Sequence, residues 1–370
     1  MSATASASSF RDQFPVLSRM AYLNAGTEGP MPQAAEDAVR ARVHADLTEG
    51  RIGPAYFEAL MELARRARAS YAAVLGAEPG EVALTSSTTY GINTVLGGLA
   101  FARGDEILTS DQEHPGVLAP LRRLQLASGV HVRLVPFAEL PGEVGSQTRM
   151  VVCSHVSWVG GEVMDVAALR ATGVQVLLDG AQALGAIPLD VHELDVDFYA
   201  GSGQKWLCGP EGSGALYVRP DRLEDLEPPF PAYGTVADHE DPLHSPLAPD
   251  AGRLDDGFPS ALRSTWALAS MGVLAAAGWA WVHERAATGA ELLAELLRSR
   301  GLEVAPRGRS TLVSWRAADA EAEVARLAGQ GLIVRSIPAS GLVRASVGAW
   351  TSEDEIHRLA SAAGTGSVIR

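Results

Sequence analysis

The chain has 370 residues, 47% hydrophobic and 20% charged, an ordinary globular composition that excludes pervasive disorder and allows a large core and more than one domain. A net charge of −14 and a pI near 5.1 argue against nucleic acid or an anionic membrane as the main partner, because both are polyanions.

Residues 1–20 read as an N-terminal arm. Its first fifteen residues, MSATASASSFRDQFP, are small and polar, with neither the basic nor the apolar region of a secretory signal, and predict a frayed start. Helical periodicity covers 33–48 and 56–75. Seven β-rich runs follow at 82–85, 106–109, 132–135, 150–153, 175–178, 197–200 and 214–218, the earlier ones separated by helix-length segments. That alternation predicts an α/β fold, a seven-stranded, mostly parallel sheet sandwiched by helices, within a large domain spanning 21–245. From 226 to 259 the composition turns to Pro, Asp, His and Gly, an irregular connection. A smaller α+β domain is expected over 246–370, with helices near 290–300 and 352–363 and strands near 310–315 and 342–347. The longest apolar run, 268–282, is shorter than the ~18 residues of a spanning helix and is expected as one buried helix. Cys153 and Cys208 sit in apolar surroundings and read as reduced core thiols of a cytoplasmic protein.

The chemistry centres on Asp179, in Leu177-Leu178-Asp179-Gly180-Ala181-Gln182, and Lys205, 26 residues later in Ser202-Gly203-Gln204-Lys205-Trp206. Both follow strand-like runs, where an α/β sheet forms its ligand crevice. An ε-amine forms a Schiff base with an aldehyde, and a carboxylate keeps a pyridine nitrogen protonated, so together they describe a pyridoxal phosphate site. Taken singly, a lysine among glycines is usually a solvated charge and Asp-Gly usually a turn. The hydroxyls of Thr85-Ser86-Ser87-Thr88-Thr89, between a strand and a helical run, suit a phosphate. His114, in Asp111-Gln112-Glu113-His114-Pro115, stands where a ring could stack on a pyridine, and Ser154-His155-Val156-Ser157-Trp158 offers polar groups and an aromatic wall.

In this order the motifs resemble the class V aminotransferase family of fold-type I pyridoxal phosphate enzymes, which includes cysteine desulfurases, selenocysteine lyases and isopenicillin N epimerases. The likeness runs from about Tyr22 to Leu359, with Tyr22-Leu23-Asn24-Ala25-Gly26 early and Val343-Arg344-Ala345-Ser346 late. The resemblance implies Lys205 as the Schiff-base lysine, Asp179 on the ring nitrogen, Gln182 on the phenolic oxygen and His114 over the ring. It implies Thr88, Thr89 and Ser202 around the phosphate, and Ala25, Gly26 and Arg344 around the substrate, Arg344 taking its carboxylate.

Three departures stand out. Gln204 replaces the family's usual histidine, though its amide can still donate to phosphate. Trp158 replaces a common asparagine and alters the pocket wall. The loop Val334-Arg335-Ser336-Ile337-Pro338-Ala339-Ser340-Gly341-Leu342 lacks the nucleophilic cysteine of persulfide-forming desulfurases. The resemblance therefore implies an enzyme that handles an α-amino acid through an external aldimine and quinonoid, foremost as a carbon–sulfur β-lyase of cysteine-type substrates. An aminotransferase or an amino-acid epimerase is the enzymatic alternative, and a binding or regulatory module the non-enzymatic one. A small amino acid and a second copy of the chain are the expected partners, with no metal site. The segment Arg253-Leu254-Asp255-Asp256-Gly257-Phe258-Pro259 lies where relatives present a loop to the partner's phosphate, with Phe258 in place of a frequent hydroxyl.

Overall fold

The structure, a computed structural model, describes residues 7–364, so the first six residues of the expected arm lie outside it. All seven β-rich runs form one sheet: β1 (Val82–Thr85), β2 (Glu106–Ser110), β3 (His131–Val135), β4 (Thr148–Ser154), β5 (Gln175–Asp179), β6 (Phe198–Ser202) and β7 (Gly214–Val218). Their spatial order is β1-β7-β6-β5-β4-β2-β3, and only β7 runs against its neighbours.

Strands β5, β6 and β7 are buried at every residue, as strands covered on both faces must be. Alternate side chains feed two cores. Leu108, Val151, Val176, Leu178 and Tyr199 pack on one face, and Ile107, Val152, Leu177, Phe198 and Leu216 on the other.

The helices behave as their termini dictate. Gly53–Leu75 ends at Gly76, whose φ of +70° is left-handed and closes the last turn. Thr88–Gly98 starts where the Ser87 hydroxyl accepts the Tyr90 N–H, and Pro115–Ser128 where His114 Nδ1 accepts the Gly116 N–H. The run expected as one buried helix over 268–282 is instead two helices, Ala261–Ala277 and Trp279–Ser299. They meet at 82° about Gly278, whose φ of +91° cannot continue a right-handed helix. Among the described residues no single helix is long and apolar enough to cross a membrane.

Two smaller sheets complete the fold. Leu312–Arg316, Leu342–Ser346 and Arg335–Ile337 form an antiparallel sheet, while Ala21–Tyr22 pairs in parallel with Leu332–Ile333. An isolated bridge from Asn24 to Ser346 carries the early chain onward, setting Ala25 and Gly26 beside the late Arg344 strand. The irregular 226–259 connection is pinned at its end by Asp255, which accepts the Leu84 N–H at 2.8 Å and pairs with Arg68 at 2.6 Å.

At the amino ends of β5 and β6, Asp197 is fully buried and receives Arg170 at 2.9 Å, Arg219 at 2.8 Å, Arg222 at 2.8 Å and the Val176 N–H at 2.8 Å. Removing a buried charge that balances others leaves those others unpaired. Asp197→Ala is expected to cost about 3 kcal/mol of stability, read as a lower urea midpoint.

Candidate active site

Four strands deliver polar residues to one place because they point the same way: Ser110, Ser154, Asp179 and Ser202 are the last residues of β2, β4, β5 and β6. Beyond them lies a cavity of about 240 Å³, lined by Gly26, Thr88, Thr89, His114, Trp158, Asp179, Gln182, Ser202, Gln204 and Lys205. Ten of the twelve residues expected at the site thus share one chamber. Ser87 and Ser154, from the hydroxyl-rich segments singled out in the sequence, line it too, and Thr27 and Arg335 do so without having been expected.

Lys205 is the only lysine among 30 basic residues, a compositional signal that marks it more sharply than its glycine neighbours do. Its surroundings strip most water from the ammonium and lower its pKa to about 8; Asp179 opposes that shift, while Arg344 and Arg335 reinforce it. Burial raises the pKa of Asp179 above the ordinary carboxylate value, and the charge of Lys205 and the Ala181 N–H, 2.8 Å from Oδ1, act against that rise.

The Thr88 and Ser202 hydroxyls meet at 2.6 Å at the start of the Thr88–Gly98 helix, where free N–H groups and the helix dipole favour an anion. Gln204 reaches the same cavity, its Oε1 buried without a partner among the described residues. Gln182 donates to the Gly26 carbonyl at 2.8 Å and accepts from the Trp206 indole at 3.2 Å, leaving one amide hydrogen free.

His114 faces the cavity. Burial, then the cations Lys205, Arg335 and Arg344, push its pKa down to about 4, so the ring is neutral at physiological pH. Since Nδ1 accepts the Gly116 N–H, the ring proton sits on Nε2. Of Ser154-His155-Val156-Ser157-Trp158, the alternate residues Ser154, Val156 and Trp158 line the cavity. His155 turns away to the Tyr199 hydroxyl at 3.0 Å, and Ser157 to Gln112.

Two expected residues do not line the cavity. Ala25 is wholly buried. Arg344 is also wholly buried, its Nη1 donating to the Trp158 carbonyl at 2.7 Å while Nε and Nη2 have no partner among the described residues. Gly26 is the window between them. A side chain there would meet Arg344 Nη2 at 2.7 Å, Ser346 Oγ at 2.8 Å and Gln182 Oε1 at 3.0 Å.

These donors fit pyridoxal phosphate: an amine for its aldehyde, a carboxyl group for its ring nitrogen, and hydroxyls at a helix start for its phosphate. The orphaned Nε and Nη2 of Arg344 fit a carboxylate. The two cysteines do not take part, since Cys153 and Cys208 are buried away from the cavity and burial raises both thiols.

Comparison with known proteins agrees. A family model described as aminotransferase class-V matches residues 49–359. The isopenicillin N epimerase of Streptomyces clavuligerus is 34% identical over 224 residues, 56% of this chain, so the chain matches only 55% of that relative's length. A probable cysteine desulfurase of Pseudomonas aeruginosa is 32% identical over 398 residues, covering 95% of this chain and 96% of the relative. The solved complex of the cystine C–S lyase C-DES with its product cysteine persulfide has a TM-score of 0.89 and 28% identity, covering 94% of this chain and 98% of that one. A mutant of C-DES with glycine covalently linked to its PLP cofactor matches with the same TM-score.

Beneath the cavity, Glu113 bridges β2 and β4. It accepts the Ser110 hydroxyl at 2.5 Å and, from Ser154, the N–H at 3.0 Å and the hydroxyl at 2.6 Å. Burial raises its pKa from 4.5 to about 7. The folded protein therefore keeps a proton that the unfolded chain has released, so this group's contribution to stability declines as pH rises from about 4.5 to about 7, then levels off. Melting temperatures measured from pH 5 to 8 should show that decline in the wild type and a flatter profile in Glu113→Gln.

Proposed function

The chain belongs to the class V aminotransferase family, and from that premise we propose a pyridoxal phosphate enzyme acting on an α-amino acid, foremost as a carbon–sulfur β-lyase of cysteine-type substrates. The observation that carries this reading is the sole lysine, its amine depressed to a pKa of about 8, sharing one cavity with Asp179. Bound pyridoxal phosphate supplies an aldehyde for amines and a ring that accepts the electron pair left when a bond at the substrate α-carbon breaks.

The protein's side chains divide the remaining work. Near pH 8 about half of Lys205 is neutral, so Nζ would be the amine that holds the cofactor's aldehyde and the base for the substrate α-proton. Oδ2 of Asp179, left free by the Ala181 bond to Oδ1, holds the proton on the ring nitrogen. Thr88, Thr89, Ser202 and the Gln204 amide hold the phosphate at the helix start. The neutral imidazole of His114 would pack against the ring, and the spare amide hydrogen of Gln182 would serve the phenolic oxygen. Nε and Nη2 of Arg344 form a side-on fork for the substrate carboxylate, reached through Gly26.

The lyase reading rests on what the cavity offers as a nucleophile. No cysteine lines it among the described residues, so sulfur leaves by elimination and not by transfer to a protein thiol. The similarity to C-DES, a cystine C–S lyase, supports this. Epimerase relatives favour a second reading, in which a proton returns to the other face of the α-carbon; His114 is then the second carrier. Aminotransferase chemistry would instead return that proton to the cofactor.

A homodimer is part of the proposal. Phe57, Tyr233 and Phe258 are exposed yet cluster, with ring centroids 6.2 Å apart for Phe57–Phe258 and 5.7 Å for Tyr233–Phe258, and exposed Ile52 and Leu262 add apolar surface. An exposed aromatic patch of this kind marks an interface. Two free thiols, both buried, suit a cytoplasmic setting.

Purified protein given cysteine, cystine or S-substituted cysteines should release pyruvate and ammonia. Stoichiometric formation of pyridoxamine phosphate with a keto acid would favour transamination, and racemised substrate would favour epimerisation. Borohydride reduction should fix the cofactor to Lys205 alone, detected by peptide mass, and Lys205→Ala should lose both that adduct and turnover.

A further inference from the structure

Glu113 lies buried beneath the cavity, and its three hydrogen-bond donors divide unevenly between its two oxygens. The Ser110 hydroxyl at 2.5 Å and the Ser154 N–H at 3.0 Å both meet Oε1, which leaves Oε2 a single partner, the Ser154 hydroxyl at 2.6 Å. That division decides where a proton goes. Oε1 already accepts two hydrogens, so a proton taken up by the carboxyl sits on Oε2 and is donated to Ser154 Oγ.

A hydroxyl carries one hydrogen, so the two charge states of Glu113 turn Ser154 in opposite senses. With Glu113 ionised, Ser154 donates to Oε2 and shows its lone pairs to the cavity it lines. With Glu113 protonated, Ser154 accepts from Oε2, and its own hydrogen swings toward the cavity. Ser154 at the end of β4 is the register partner of Asp179 at the end of β5, and both side chains line the cavity. What the hydroxyl shows is therefore shown to Asp179. Because the Glu113 pKa is raised by burial to about 7, both states are populated at neutral pH. The other titratable groups around it are Asp179 and, on β4, Cys153, whose thiol burial pushes well above its usual value. His114, next in the chain, is neutral.

We propose that Glu113, acting through the Ser154 hydroxyl, is a positioning residue for the cofactor's ring-nitrogen proton, holding it at Asp179 more strongly when ionised than when protonated. This rests on the functional reading above, in which Asp179 meets the ring nitrogen. No proton passes between the two carboxyls: one leaves Glu113 for solvent, and the hydroxyl turns. Protons at Glu113 and at the ring nitrogen thus compete, so by reciprocity a protonated ring set against Asp179 lowers the Glu113 pKa. Cofactor binding near pH 7 then expels part of a proton from Glu113.

The test is calorimetry on the cofactor-free protein, titrated with pyridoxal phosphate and with its analogue carrying C–H in place of the ring nitrogen. Repeating each titration in buffers of different ionisation heat counts the protons released. Glu113→Gln supplies an amide that donates to Ser154 at every pH, which fixes the protonated arrangement. Near pH 7 the wild type should release a fraction of a proton more than Glu113→Gln, and that excess should be larger with pyridoxal phosphate than with the analogue. Contributions common to both ligands, including those of Lys205, cancel. The excess should fade about two pH units to either side, where Glu113 keeps one charge state. Ser154→Ala should lose most of it, and Ser154→Thr, which retains a hydroxyl, should keep it. An equal excess with both ligands would overturn the proposal, because a purely structural Glu113 does not sense the ring nitrogen; a full excess in Ser154→Ala would overturn the role of the hydroxyl. If Glu113→Gln fails to fold, the Ser154→Ala and Ser154→Thr pair makes the same comparison. Failure of the wild type to bind pyridoxal phosphate sinks the cofactor assignment together with this inference, whereas binding without the excess sinks only the inference.

Discussion

An amine and a carboxylate kept together out of water govern the rest of this molecule. Asp179 ends β5 in register with Ala200 of β6, and the chain then turns through Ser202 to bring Lys205 back over the same strand ends. Because the two strands are parallel, a separation of 26 residues becomes proximity. Burial penalises both charges, and each opposes the penalty on the other. The balance leaves the lysine poised to exchange a proton near pH 8, which a solvated lysine would not be, and raises the aspartate above the ordinary carboxylate value.

The sheet carries that arrangement because it is rigid where the chemistry sits. Its central strands are buried on both faces, and the carboxyl ends of β2, β4, β5 and β6 define the cavity floor, with Glu113 tying β2 to β4 beneath it. At the opposite ends, Asp197 gathers three arginines against β5 and β6. Polar clusters thus bracket the sheet, one structural and one in the active site, and their different placement along the strands separates stability from reactivity.

The cavity's far wall is shared with the C-terminal sheet. The loop carrying Trp158 is stitched to that sheet by Ser314 Oγ donating to the Val159 carbonyl at 2.5 Å, and by Ser310 Oγ at 2.6 Å and the Gly308 N–H at 3.0 Å donating to the Gly161 carbonyl. Through it the arginine pair, Trp158 and His114 form one connected surface.

Much of this was legible in the linear chain. Short β-rich runs and their spacing located the seven strands, and ordered motifs placed Lys205, Asp179, His114, Thr88 and Ser202 beside strand-like runs, because local pattern is a property of short segments. The unique lysine was there to be counted. Only the tertiary structure decided the rest. Strand register set Arg335 opposite Arg344, a pairing that depends on how one turn closes and not on either residue. A left-handed glycine at 278 split an apolar run that looked continuous, and side-chain alternation sent His155 to the core while Ser154 and Trp158 faced the cavity. The sequence by itself determined which reactive groups the protein possesses. Long-range packing decided which of them lose water, which lack a counter-charge and which face one another, because those are properties of surroundings assembled from distant parts of the chain.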